Sequence, residues 1–161
     1  MAEWYRRNAG IVVFNRQRRV LLCKRNDVEK PSWQFPQGGI EDGETPQQAA
    51  LRELKEETSV QNVVPIKTLT KALRYRFPRQ ILASLQKRGY TNVGQEMYWT
   101  LAFFAGDDSE INLQTAEPEF SAFYWGTLEE ACEKIVPFKK QVYEQMSRLF
   151  APLIEQFKIP E

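Results

Sequence analysis

The chain reads as a mixed α/β protein, and three features of its sequence predict this. Short apolar or alternating runs recur along most of its length, one short polar-faced helix interrupts them, and a longer amphipathic helix closes the chain. Its 161 residues suffice for one domain with a substantial core, and no Pro-, Gly- or Ser-rich stretch divides them. A single domain over residues 1–161 is therefore expected.

Taken in order, Ala9–Asn15 and Val20–Lys24 are β-rich runs separated by the polar turn Arg16-Gln17-Arg18, which predicts a hairpin. Trp33–Pro36 is a short aromatic strand that enters Gly38-Gly39. Thr45 then offers an N-cap, Pro46 suits the first helical position, and Gln47 to Thr58 has no interior breaker. Val63–Leu69, Leu73–Phe77 and Glu96–Ala105 predict further strands. The last of these carries Tyr98-Trp99-Thr100-Leu101-Ala102-Phe103-Phe104, too apolar for an exposed edge. Phe120–Trp125 predicts a final strand, and Thr127–Lys134 a helix. Pro137–Phe157 predicts a second, with Phe138, Val142, Met146, Leu149 and Leu153 at three- and four-residue spacing.

The chemistry concentrates between Gly38 and Val60, GGIEDGETPQQAALRELKEETSV. At about 3.6 residues per turn, Glu53, Glu56 and Glu57 project within one narrow arc, with Leu51 and Leu54 away from its centre. Like charges at this spacing weaken a helix, so a bare acidic face is a cost without a return. Gly38-Gly39 and Gly43 precede it closely and let backbone approach an ion or ligand. Hard oxygen donors gathered in this way suit Mg²⁺ or Mn²⁺.

Composition narrows the classes further. The chain has no histidine, which excludes histidine triads and histidine metal ligands and leaves acid–base work to carboxylates, lysine, tyrosine or activated water. Cys23 and Cys132 lie far apart and form no metal or disulfide pattern, so free thiols in a reducing compartment are expected, cytoplasmic by default. No apolar run approaches the ~18 residues of a membrane span, and MAEWYRRNAG lacks a signal-peptide core. Net charge is +1, but its distribution is uneven. Residues 1–25 hold Arg6, Arg7, Arg16, Arg18, Arg19, Lys24 and Arg25 against Glu3 alone, and 71–95 hold Lys71, Arg74, Arg76, Arg79, Lys87 and Arg88 against no acid. A basic rim beside an acidic cluster suits a polyanion bridged by cations.

The stretch from Gly38 to Val60 resembles the Nudix box: glycine, five residues, glutamate, seven residues, then Arg-Glu-aliphatic-x-Glu-Glu-x-Gly-aliphatic. Gly38, Glu44, Arg52, Glu53, Leu54, Glu56, Glu57 and Val60 fill it in register, and Ser59 stands where the family has glycine. Beyond the box, Tyr5-Arg6-Arg7-Asn8-Ala9-Gly10, Trp33-Gln34-Phe35-Pro36-Gln37-Gly38-Gly39, Gly94-Gln95, Glu110-Ile111-Asn112-Leu113, Pro118-Glu119-Phe120 and Val136-Pro137-Phe138-Lys139-Lys140 resemble one branch of that family. The branch holds plant-type asymmetrical diadenosine tetraphosphate hydrolases and bacterial RNA pyrophosphohydrolases. The similarity spans roughly residues 4 to 155, and Phe138 to Pro152 leans toward the plant type.

The resemblance implies the Nudix fold, an α/β/α sandwich with a mixed sheet, a catalytic loop-helix-loop and a C-terminal helix. It implies two or more Mg²⁺ ions (Mn²⁺ as a substitute) held by Glu53, Glu56, Glu57, Glu119 and the Gly38 carbonyl, acidifying a water that attacks phosphorus. It places Arg52 and Glu44 as supports of that set and Glu119 as ligand or base. Arg6, Arg25, Tyr75 and Lys139 become phosphate or nucleotide contacts, and Phe138 a stacking platform. A phosphate partner also rationalises Lys139 and Lys140 at the start of the last helix, where the dipole disfavours cations. Relatives read Gly-Gln-x-Gln-Lys-Trp where this chain has Gly94 to Trp99, so Tyr98 takes the place of the lysine that would grip phosphate, as a substrate contact able to donate a hydrogen bond but without charge.

Three readings follow. The first is asymmetrical hydrolysis of diadenosine tetraphosphate to ATP and AMP. The second is release of pyrophosphate from 5′-triphosphate RNA, with residues 71–95 as a path for the backbone. The third is a catalytically weak RNA-binding or scaffold subunit, against which the complete carboxylate set argues. The expected partners are nucleoside polyphosphates or RNA 5′ ends, with no DNA and no membrane, and the oligomeric state is left open.

Overall fold

The computed structural model describes residues 3–26 and 30–161, and its centre is the pairing of two long buried strands. β1 (Tyr5–Phe14) and β7 (Gly94–Phe104) run parallel in unbroken register from Tyr5↔Gly94 to Phe14↔Phe103. Asn8–Phe14 are all buried, as are Trp99–Phe104, the continuous apolar signature of strands covered on both faces. The apolar run ending at Phe104 is indeed central. Gly10 allows this closeness, since a Cβ there would lie 2.5 Å from the Trp99 ring.

Around that pair, β2 (Val20–Arg25), β3 (Trp33–Gln34), β4 (Gln37–Gly39), β5 (Val63–Thr68), β6 (Leu73–Arg76) and β8 (Phe120–Gly126) complete a mixed, open, eight-stranded sheet. The path runs β3-β2-β1-β7-β5, with β4 joined to β1, β6 to β7 and β8 to β2. β1 and β2 form the expected hairpin but share only the pair Phe14↔Val20, because β2 spends its length on β8. Gly38-Gly39 sit in β4 and pair with β1.

Each sheet face carries its own core. Ala9, Ile11, Val13 and Ala102 meet Ala49, Ala50 and Leu54 of α1 (Pro46–Thr58). Val12, Phe14, Trp99 and Phe103 meet α3 (Leu128–Lys134) and α4 (Lys140–Gln156) through Ala131, Val142, Tyr143, Met146 and Phe150. α1 starts as its sequence predicts, with Thr45 Oγ1 accepting from Gln48 N–H and the Gln48 side chain accepting from Thr45 N–H.

Three expectations need correction. A helix, α2 (Arg79–Lys87), lies between β6 and β7 where none was foreseen. The closing helix does not run unbroken from Pro137: Pro137–Lys139 form a separate 3₁₀ turn before α4 begins. Leu149 is half exposed, and Phe150 takes the core position beside Val142 and Met146, which are buried as expected. The Arg18 guanidinium, at the hairpin tip with φ 63°, donates to the Ile154 and Phe157 carbonyls and closes the C-terminus of α4.

Candidate active site

The pitch of α1 grades its three glutamates from core to solvent. Glu57 is 4 % exposed, the Glu53 side chain 14 % and that of Glu56 56 %. They line a cleft of about 670 Å³ with Arg52, Lys55, Thr115, Glu117 and Glu119, so the segment before β8 closes against the helix. Asn26 moors that segment, its backbone N–H donating to the Glu119 carbonyl and its amide to that of Pro118.

Arg52 organises the acidic side. Its Nε donates to Glu44 at 2.7 Å, its Nη2 to the Gly39 carbonyl at 2.9 Å, and its Nη1 to Glu53 at 2.8 Å and Glu56 at 3.3 Å. The guanidinium holds the Glu44 carboxyl far down, at about 2. Glu57 has the opposite environment. Burial above all, then the charges of Glu119 and Glu53 and a hydrogen bond with Glu119, push its carboxyl up to about 10. Burial also raises Glu53, with Glu56 and Glu119 adding to it and Arg52 opposing.

Among the described residues no group of three acidic side chains stands ready-made around a single ion. One set of contacts bears on this: Arg52 donates to both Glu53 and Glu56, and so occupies oxygens an ion would need. The donor set nevertheless fits a hard divalent cation, being all oxygen and strongly anionic once Glu57 ionises. Gly38 adds to the fit, because a Cβ there would sit 2.1 Å from the Glu53 carboxyl carbon, so only glycine lets that carboxylate lie on the β4 backbone.

A second cleft, of about 520 Å³, meets the first at Glu119. Its lining includes Arg25, Gln37, Tyr75, Gln95, Phe138 and Lys139. Phe138 tilts against Tyr75 at 5.6 Å and Phe77 at 6.2 Å, and Lys139, itself buried, holds its ammonium 5.5 Å from the Tyr75 ring. Burial pushes the Tyr75 phenol up, and its hydroxyl donates to Gln95. Arg6 lies against Gly39 on the same side, close enough for its charge and that of Arg25 to act on Tyr75.

Tyr98 is not brought here. Alternation along β7 sends Gln95, Met97 and Trp99 to the α4 side and Tyr98 to the other, where Arg7 lies 5.2 Å over its ring. The expected phosphate contact through Tyr98 is therefore withdrawn, since the strand turns it away from the cleft. Sequence reasoning also missed Gln34 and Gln37, whose buried Oε1 atoms have no hydrogen-bond partner among the described residues, and the α2 wall of Ile81, Ser84, Leu85 and Arg88. The glutamines lie inside the run Trp33 to Gly39, so their position was visible while their burial was not.

Known proteins resemble this chain over most of its length. A family model described as NUDIX domain matches residues 4–146. A Pelagibacter ubique protein named RNA pyrophosphohydrolase is 42 % identical over 141 residues, covering 88 % of each chain. One of the same name from Dinoroseobacter shibae is 42 % identical over 149 residues, covering 91 % of this chain and 92 % of its own. Nudix hydrolase 26, chloroplastic, of Arabidopsis thaliana is 39 % identical over 153 residues, covering 92 % and 70 %. Among solved structures, the E. coli dihydroneopterin triphosphate pyrophosphohydrolase superposes with TM-score 0.64 at 22 % identity, covering 89 % and 97 %. A C. elegans Ap4A hydrolase complex does so with TM-score 0.60 at 20 % identity, covering 90 % and 98 %. At these identities the likeness is one of fold.

Proposed function

This chain belongs to the Nudix family of hydrolases, and from that premise we propose that it removes pyrophosphate from the 5′-triphosphate end of RNA. The observation that carries the reading is the junction of two clefts at Glu119, one acidic and one aromatic and cationic. A triphosphate laid across Glu119 would leave its nucleoside beside Phe138 and its anhydrides beside the glutamates. The relatives named RNA pyrophosphohydrolase support this substrate over the dinucleotide. Diadenosine tetraphosphate remains a second reading on one observation, the plant-type resemblance of Phe138 to Pro152.

Nudix hydrolases use divalent metals, and here Glu53, Glu56, Glu57, Glu119 and the Gly38 carbonyl would hold Mg²⁺ or Mn²⁺. When bound, such ions neutralise polyphosphate charge and make water a better nucleophile. The chain's own residues do the rest by positioning and electrostatics. Arg52 fixes Glu53 and the β4 backbone, which makes it a positioning residue. Ionisation of Glu57 frees a proton to solvent and leaves Glu119 an acceptor at the junction. Arg25, Arg6 and Lys139 supply positive charge to phosphate oxygens, and Phe138 offers a ring face to a base. Water oxygen bonds to the α-phosphorus and gives up a proton to solvent, the α–β anhydride bond breaks with its electron pair going to the departing pyrophosphate, and a 5′-monophosphate RNA remains.

Product analysis with Mg²⁺ tests the reading, with 5′-triphosphate RNA and diadenosine tetraphosphate presented in parallel. Pyrophosphate release from the RNA at the higher kcat/KM is expected. Turnover of the dinucleotide alone, to ATP and AMP, would replace the first reading with the second.

A further inference from the structure

We propose that the surface leading from the cleft rim over the C-terminal end of α2 to Trp4 is a track for single-stranded RNA. It would carry the nucleotides that follow the terminal ones, and it rests on the RNA-end reading above. The track begins inside the cleft, where Arg88 lines the wall. The same guanidinium lies 5.6 Å over the Tyr90 ring, and Tyr90 N–H donates to the Leu85 carbonyl, fixing that ring at the helix end. Next comes Thr91, whose hydroxyl accepts from the Trp4 indole at 2.9 Å, while Val93 N–H donates to the Trp4 carbonyl at 2.9 Å. Both residues are thus tethered by their backbones or edges and remain accessible, Trp4 48 % and Tyr90 44 % exposed. Exposed Trp4 and Tyr90 are linked through Thr91, and exposed Ile81 lines the cleft from which the track starts.

Charge selects the occupant. Arg79, Lys87 and Arg88 take no part in any ion pair among the described residues, and no acid occurs between 71 and 95. On the adjoining β6, by contrast, Arg74 is paired with Glu96 and Arg76 with Glu3, so phosphates passing there would have to displace carboxylates. Unpaired cations interleaved with tethered aromatic faces are what a single strand uses, phosphates on the cations and bases on the rings. An apolar protein surface would gain nothing from the cations. α2 itself buries no residue, so its outer face is free for the strand.

The test compares a 5′-triphosphate dinucleotide with a longer unstructured 5′-triphosphate RNA across a range of KCl. The intact protein should prefer the longer RNA in kcat/KM, with the steeper salt dependence. The double variant Trp4→Ala, Tyr90→Ala should lose about a hundredfold on the long RNA, the scale of two lost base–aromatic stacks at about tenfold each, and be unchanged on the dinucleotide. Anisotropy with a 5′-hydroxyl single-stranded RNA, which cannot be hydrolysed, should show the same loss in affinity. Equal turnover of short and long RNA, or equal losses on both in the variant, would overturn the track while leaving the RNA-end reading intact. If only diadenosine tetraphosphate were hydrolysed, the reading and the track would both fall.

Discussion

α1 and α2 each line one of two clefts that meet at Glu119, yet they are held in opposite ways. α1 is capped by Thr45 and Gln48, buries Ala49, Ala50 and Leu54, and spends that anchorage on keeping Glu53, Glu56 and Glu57 close together. α2 starts at Pro78 with no side-chain cap, buries nothing, and carries only positive charge. An element that must hold repelling charges at fixed spacing needs a core behind it. An element that meets a chain of varied sequence does better on a loose mounting, because loosely packed segments open locally at low cost.

The contrast is broken most severely at the anchored end. Glu57→Gln should lower kcat by about 10²- to 10³-fold, the scale on which a single charge-stabilising group acts. Its fold should survive, since a neutral amide replaces a carboxyl that burial already keeps protonated. Circular dichroism beside the Mg²⁺-dependent rate decides this, and a variant with full activity would remove Glu57 from the metal set. Amide exchange sharpens the same contrast. Protection at Ala49 to Leu54 should approach the global stability, while amides of Leu82 to Lys87 should exchange through local opening, several kcal/mol more readily. Equal protection would mean α2 is anchored in a way its exposure does not reveal.

The third prediction concerns pH. The folded Glu57 carboxyl titrates near 10 and the unfolded one near 4.5, so ionisation is disfavoured by folding. Its contribution to stability is full below the lower value and is lost as pH rises toward the higher one. Without metal, the thermal midpoint should therefore decline from mildly acidic to alkaline pH. Mg²⁺ should flatten the decline, because it favours the ionised carboxylate only in the folded chain. A metal-independent profile would argue against binding at Glu57.

The box helix was legible because every device that makes it is local: Thr45, Pro46, the spacing of Glu53, Glu56 and Glu57, and Leu54 between them. β7 was legible from seven consecutive residues that could only be central. α2 was not, because Pro78 offers no capping oxygen to mark its start and none of its residues is fully buried, although Ile81, Leu82 and Leu85 do form an apolar stripe. Tyr98 failed for a different reason. Motif alignment names a position, and only the strand's alternation decides which side of the sheet that position faces. The union of the two clefts at Glu119 was out of reach for the same cause, since it depends on where β6, β8 and the 3₁₀ turn at Pro137–Lys139 come to lie.

Ser59 supplies the smallest test of the comparison. It closes α1 in the left-handed region at φ 70°, its N–H on the Lys55 carbonyl and its hydroxyl on the Asn112 carbonyl at 2.8 Å. Ser59→Gly removes about 1 kcal/mol of backbone strain but also a hydrogen bond of about 1 kcal/mol, so stability should move by less than ~1 kcal/mol. A urea titration resolves it. A large loss would show that the tether to Asn112, and so to the segment bearing Glu119, matters more than the turn itself.

The parallel union of β1 with β7 bears on how the molecule comes to exist. Ten successive partner pairs, Tyr5↔Gly94 to Phe14↔Phe103, join stretches at opposite ends of most of the chain, and none forms until everything between them has been made. During synthesis, the Tyr5–Phe14 segment waits without its neighbour, and an apolar strand without a neighbour invites the wrong one. Such long-range pairing places refolding in the slower, millisecond-to-second range of single domains. We expect dilution from urea to show loss of material that rises with protein concentration, and concentration-independent recovery would refute this. Both sheet faces, and the clefts they support, thus depend on a pairing that must wait for about eighty intervening residues to be made.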